Sequence, residues 1–118
     1  MEYEWINMSN KERNKLISQE ILNLDCFQSE KGIQWYEKHY TLGHWHYVTN
    51  INDAIDLSER IIIHNDVNVL ITIGLNEYSC KVTRKNDDKQ ILGNSTAGSL
   101  SEAICLAILQ YKGINTSR

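Results

Sequence analysis

The sequence predicts an α+β fold, a central antiparallel β-sheet of hairpin or meander type sandwiched by helices in an alpha-beta-alpha arrangement. Three observations predict it. Ser9-Asn10-Lys11-Glu12 and Ser99-Leu100-Ser101-Glu102 each read as a capping box at the head of a run with helical apolar spacing, and between those runs residues 67–73 and 78–83 alternate apolar with polar. Helices towards both ends of a chain with a strand-rich middle segregate as helices packed on an antiparallel sheet.

The elements follow in order. Ser9 accepts from the amide three residues on while Glu12 reaches back, so a helix is expected over residues 10–24, with Leu16, Ile17, Ile21 and Leu24 as its apolar stripe. A polar, irregular stretch runs through Gly32. Residues 33–48 hold Trp35-Tyr36 and Trp45-His46-Tyr47-Val48 on either side of Gly43, and this aromatic and β-branched content suggests short strands. A second helix starts after Thr49 or Asn50, with Ile51, Ala54, Ile55 and Ser58 on its inner face and Asp53 well placed in its first turn.

Val67, Val69, Ile71 and Ile73 alternate with Asn68, Thr72 and Gly74, broken only by Leu70. Tyr78, Cys80 and Val82 alternate with Ser79, Lys81 and Thr83. Joined through Gly74-Leu75-Asn76-Glu77, the two runs form a hairpin. Asn86-Asp87-Asp88 is expected as a turn, Gln90-Ile91-Leu92 as a short third strand, and residues 93–99 as a loop. The last helix carries Leu100, Ala103, Ile104, Ala107, Ile108 and Tyr111 on one stripe, and Gly113 marks its end.

Bulk properties bound the function. A chain of 118 residues fits one domain, 1–118, and 42% hydrophobic residues are enough to fill one core. A net charge of −3 and a pI of about 5.8 argue against DNA or RNA as a partner. The charge is uneven: residues 1–59 hold ten acidic and five basic side chains, residues 60–118 five acidic and seven basic, so an anion site belongs to the second half. Cys26, Cys80 and Cys105 are too far apart for a zinc or redox motif, and their odd number does not suit a disulfide framework. The first residues lack the basic and apolar regions of a signal peptide, and no apolar run reaches the roughly 20 residues of a membrane span. A reduced, cytoplasmic protein without a membrane partner is expected.

No catalytic motif stands out. His44-x-His46, with His39 and His64, offers imidazoles but no carboxylate or thiol at ligand spacing, and no metal or other cofactor is expected. Cys80 and Cys105 fall on core-facing positions, where thiols act as small hydrophobes with raised pKa, and Gly-x-Ser-x-Gly is absent. The chain is therefore expected not to be an enzyme.

The stretch Gly93-Asn94-Ser95-Thr96-Ala97-Gly98-Ser99 admits two readings. Its small and hydroxyl residues could let a ligand approach the backbone, and the following helix start offers unpaired amides to an anion near Lys81, Arg84, Lys85 and Lys89; equally, it is a loop ending in an N-cap. The candidate ligand residues on the first reading are Lys81, Arg84, Asn94, Ser95, Thr96 and Ser99. Trp35, Tyr36, Trp45 and Tyr47 likewise either offer a stacking face to a base, with Trp35 and Tyr36 as the candidates, or fill a core or a subunit interface.

The order of features resembles the phage ABA-sandwich domain family. The residues that carry the resemblance are the capped first helix, the aromatic segment at Trp35-Tyr36, the helix start at Thr49-Asn50-Ile51, the alternating hairpin, and the helix Ser101-Glu102-Ala103-Ile104-Cys105-Leu106-Ala107. The resemblance implies a central antiparallel sheet between helices in a small protein of a phage or prophage. Proteins similar in size and layout include phage anti-Thoeris proteins, which sequester cyclic ADP-ribose-type signals of the host uncleaved and work as dimers or larger assemblies. By that resemblance the chain is expected to be a homo-oligomer that holds a cyclic nucleotide in the bacterial cytoplasm and so counters anti-phage defence. Residues 93–99, Lys81 and Arg84 would then meet pyrophosphate, and Trp35 or Tyr36 would stack on adenine. Two alternatives stand beside it: a homo-oligomeric protein-interaction module without a small ligand, and a small enzyme acting on the same nucleotides.

Overall fold

The computed structural model describes residues 2–21, 25–29, 32–37, 40–43 and 46–117, with the side chains of residues 2, 25–29, 32–37, 40–43 and 117 outside the description. Along the chain come β1 (Glu2–Glu4), a 3-10 turn (Trp5–Asn7), α1 (Asn10–Glu20), β2 (Asp25–Ser29), β3 (Gly32–Glu37) and β4 (Tyr40–Gly43). Then follow α2 (Ile51–His64), β5 (Val67–Gly74), β6 (Glu77–Arg84), β7 (Asp87–Ala97), α3 (Leu100–Tyr111) and β8 (Asn115–Ser117). The class is α+β, as the sequence predicts.

Local chemistry starts each helix. Ser9 and Glu12 form the reciprocal capping box at α1. Asn50 caps α2 by accepting from the amides of Asn52 and Asp53, and Asp53 in turn accepts from the His46 amide at 2.9 Å. Ser99 accepts from the Glu102 amide at α3, while Glu102 turns its carboxylate to the Trp5 indole. At the far end of α3, Gly113 takes φ 81, and the amides of Gly113 and Ile114 return to the carbonyls of Gln110 and Leu109. That is a Schellman stop, and it needs the left-handed glycine.

The main sheet is antiparallel in the order β5-β6-β7. Its hairpin turn is Leu75-Asn76, with Asn76 at φ 61, a conformation asparagine tolerates better than most residues. The register sets Val69, Val82 and Gly93 abreast, then Ile71, Cys80 and Ser95, then Ile73, Tyr78 and Ala97. These rows face α3, which packs on β6 and β7 and meets α2 on another side. Ser101 and all of residues 103–109 are buried, so α3 is enclosed nearly all round and forms the centre of the core. Leu16, Ile17 and Ile21 of the first helical segment and Ala54, Leu57 and Ile61 of α2 complete it, together with Trp5, Tyr47 and Val48.

Two further sheets flank this body. β2, β3 and β4 form an antiparallel meander, and β1 pairs in parallel with β8, Glu2 opposite Asn115 and Glu4 opposite Ser117.

Several local expectations change. α1 ends at Glu20 with Ile21 as its C-cap, and Leu24 lies outside the described residues. Residues 25–29 are strand rather than irregular, because their backbone pairs with β3, Cys26 opposite Trp35. Ile51 sits at the surface of α2, while Leu57 and Ile61 take the inner face beside Ala54 and Ser58. The turn after β6 falls at Lys85-Asn86. The third strand extends from Asp87 to Ala97, so most of the expected loop is β7. Its helix-facing row is Gly93, Ser95 and Ala97, small because α3 lies directly on it: a Cβ added at Gly93 would stand 2.3 Å from the Ala107 carbonyl oxygen. Such a strand shows no apolar alternation and reads as a loop.

Candidate functional site

The cleft that gathers sequence-expected residues lies at the outer edge of β7. Asn94, Ser95 and Thr96 form one wall, Leu106 and Gln110 of α3 the floor, and Ile114, Asn115 and Thr116 the other wall, enclosing about 610 Å³. The close approach of α3 at Gly93 builds it. That approach brings Gln110 to the strand edge, where its side-chain oxygen accepts from the Asn94 amide. The Asn94 amide therefore points away from β6, which makes Asn94 and Lys81 a pair without mutual backbone bonds, the closer type of cross-strand neighbour.

The lining is amide, hydroxyl and aliphatic, with no ionisable side chain among the eight residues. Lys81 is exposed as the cross-strand neighbour of Asn94, on the face of β6 turned away from α3, and it is not among the residues that line the cleft. Side chains alternate along a strand, so Arg84 lies on the opposite face of β6 from Lys81, at the end of the strand next to Asp87. The two cations do not converge on one ligand. Ser99 is also apart: it caps the first turn of α3, and Gln110 lies eleven residues further along, roughly 16 Å at the helical rise. Trp35 and Tyr36 stand in β3, and their side chains lie outside the described residues, as do His39, His44 and Trp45.

Of the expected ligand residues, the structure thus brings together Asn94, Ser95 and Thr96 in the cleft, and Lys81 stands one strand away opposite Asn94. Gln110, Asn115 and Thr116 are additions that the sequence did not flag. Gln110 carries a faint signal as the first polar residue after the apolar run 103–109, but no motif surrounds it.

The thiols sit elsewhere. Cys80 and Cys105 are fully buried, and burial pushes the Cys80 thiol up to about 12. Cys105 is raised further by burial, with smaller effects from Cys80 and Glu102, and its Sγ–H donates to the Tyr47 carbonyl at 3.3 Å. Burial also raises the Tyr47 hydroxyl, which lies against Ser18. Neither thiol is a competent nucleophile near neutral pH. Among the described residues no group of three or more His, Cys, Asp or Glu side chains is placed to hold a metal, and no helix is long and apolar enough to cross a membrane.

No family model matches the chain, and neither a curated protein nor a solved structure matches it.

Proposed function

We propose that this protein is a non-enzymatic binder that sequesters a nucleotide in the cleft between β7 and β8. One observation carries the reading: a cleft of about 610 Å³ lined by amide, hydroxyl and aliphatic side chains, with Lys81 on the neighbouring strand opposite Asn94. That volume is in the usual range for small-molecule sites. Asn94, Gln110 and Asn115 can pair with the hydrogen-bonding edge of a base, Ser95 and Thr116 with ribose hydroxyls, and Lys81 with a phosphate. The inert thiols support binding without chemistry. The resemblance to the phage ABA-sandwich family makes a cyclic ADP-ribose-type signal of a bacterial host the first ligand to try, with Trp35 or Tyr36 as the stacking partner, and gives the protein a role against anti-phage defence.

Native mass spectrometry of the full chain with cyclic ADP-ribose isomers and cyclic oligonucleotides tests this. A nucleotide bound at fixed stoichiometry and recovered intact is expected. Lys81→Ala and Gln110→Ala should each weaken binding about tenfold or more, the order of one lost charge-assisted or buried hydrogen bond, and Arg84→Ala should not. Failure of every nucleotide to bind would overturn the reading, and recovery of a cleaved ligand would replace it with an enzyme.

A further inference from the structure

Away from the cleft, the opposite edge of the main sheet is built to take another strand. Among the described residues β5 pairs only with β6. Residues 67–76 hold no charged side chain, the chain has no proline, and the β5–β6 register runs without a bulge. Edge strands are ordinarily guarded by lysine, proline or a bulge, and β5 has none of the three.

Its backbone direction is fixed by the ladder. The Lys85 amide donates to the Asp66 carbonyl at 3.0 Å, continuing the register in which Val67 faces Arg84. Bonded and unbonded pairs alternate in an antiparallel ladder, so Asn68, Leu70 and Thr72 bond to β6, while Val67, Val69, Ile71 and Ile73 direct their N–H and C=O groups to the outer edge. The side chains of those same four residues stand on the α3 side, and their cover runs out along the strand: Val67 is buried, Ile71 is 38% exposed and Ile73 68%. Ile63, near the end of α2 and just before β5, is 73% exposed.

We propose that a second copy of this chain pairs antiparallel along β5, about a two-fold axis at Leu70, to make one continuous six-stranded sheet. In this register Val69 meets Ile71 of the partner subunit, and Val67 meets Ile73 of the partner subunit. All four of these outward-facing residues become bonded pairs, and the apolar row is continuous across the join. On the other face Asn68 meets Thr72 of the partner subunit, and Leu70 meets its own copy. Every pair matches apolar with apolar or polar with polar, which is the self-complementarity a two-fold interface requires. The exposed Ile73 comes to lie beside the start of β5 of the other copy, where α2 ends in exposed isoleucine. Charge does not oppose this occupant at the contact itself. Each copy carries −3 overall, and β5 is a neutral strip along which two like chains meet without opposing charges.

Sedimentation equilibrium of the full chain, without nucleotide, should give twice 13.7 kDa. Leu70→Lys sets two ammonium groups face to face at the axis and should halve the mass while leaving the circular dichroism unchanged. In a Cys26→Ser background, Leu70→Cys should cross-link the two copies rapidly on mild oxidation, because an unbonded antiparallel pair suits a disulfide, and Thr72→Cys should not. A monomer at millimolar concentration would overturn the proposal, as would a dimer that survives folded Leu70→Lys or that cross-links equally well through Thr72→Cys. A chain that stays monomeric until it takes up a strand of another protein would overturn it too.

Discussion

The indole of Trp5 donates to a carboxylate oxygen of Glu102 at 2.8 Å, joining residues 97 positions apart. Arg13 completes the arrangement from α1. Its guanidinium lies 4.7 Å from the Trp5 ring centroid, and its Nε and Nη2 donate to the Trp5 carbonyl at 3.1 and 2.6 Å. One buried aromatic therefore fastens the first residues both to α1 and to the start of α3.

Trp5→Ala should cost about 3–5 kcal/mol, the usual range for emptying a buried aromatic site. Trp5→Phe keeps most of the volume and removes the indole donor, so about 1–3 kcal/mol is expected. Urea unfolding of both variants checks the difference, and equal losses would mean that packing alone matters at this position.

Gly93→Ala should destabilise the protein by about 1–3 kcal/mol or more, because its Cβ meets the backbone of α3 and not a side chain that can swing aside. The same shift should carry Gln110 away from the Asn94 amide. Amide hydrogen exchange at Asn94 should therefore accelerate in Gly93→Ala, and unchanged protection there would show that the helix tolerates the methyl group in place.

Asn50→Ala removes the acceptor for two amides at the start of α2 and should cost about 0.5–2 kcal/mol. Ser9→Ala at α1 should fall in the same range. Thermal melting distinguishes these losses from the larger ones above.

Alkaline pH should unfold the protein more readily. The thiols of Cys80 and Cys105 keep their protons in the folded state well above their ordinary value of 9.0, up to about 12 for Cys80. Between those limits the unfolded chain binds fewer protons than the folded one, so stability is full below pH 9 and falls as pH rises towards 12. The slope should approach about 1.4 kcal/mol per pH unit for each thiol. Cys80→Ala and Cys105→Ala should each flatten it, and both thiols should resist a thiol reagent until unfolding.

The parts of the fold that were legible in the sequence are those written in side chains that act locally. Ser9, Asn50, Ser99 and Gly113 mark helix ends because their own atoms or backbone freedom make the cap. The hairpin is legible because Val67 to Ile73 and Tyr78 to Val82 alternate. β7 was half hidden. Its inward row of Gly93, Ser95 and Ala97 is small to admit α3, and only the partner helix explains that choice. Trp5 and Gln110 were missed for a related reason, since each acts through one bond to a residue far along the chain. The expected site was divided by the same geometry: a strand puts Lys81 and Arg84 on opposite faces, and a helix separates Ser99 from Gln110.

The parallel pairing of β1 with β8 has a mechanical consequence. Glu2 and Ser117 lie at opposite ends of that short ladder. Tension applied between them slides the two strands past each other and loads all the rungs together, instead of peeling them one by one. A tether held at these two positions would pull in shear, the geometry in which a few backbone bonds resist force best, and the ladder would have to rupture before the strain reached α3.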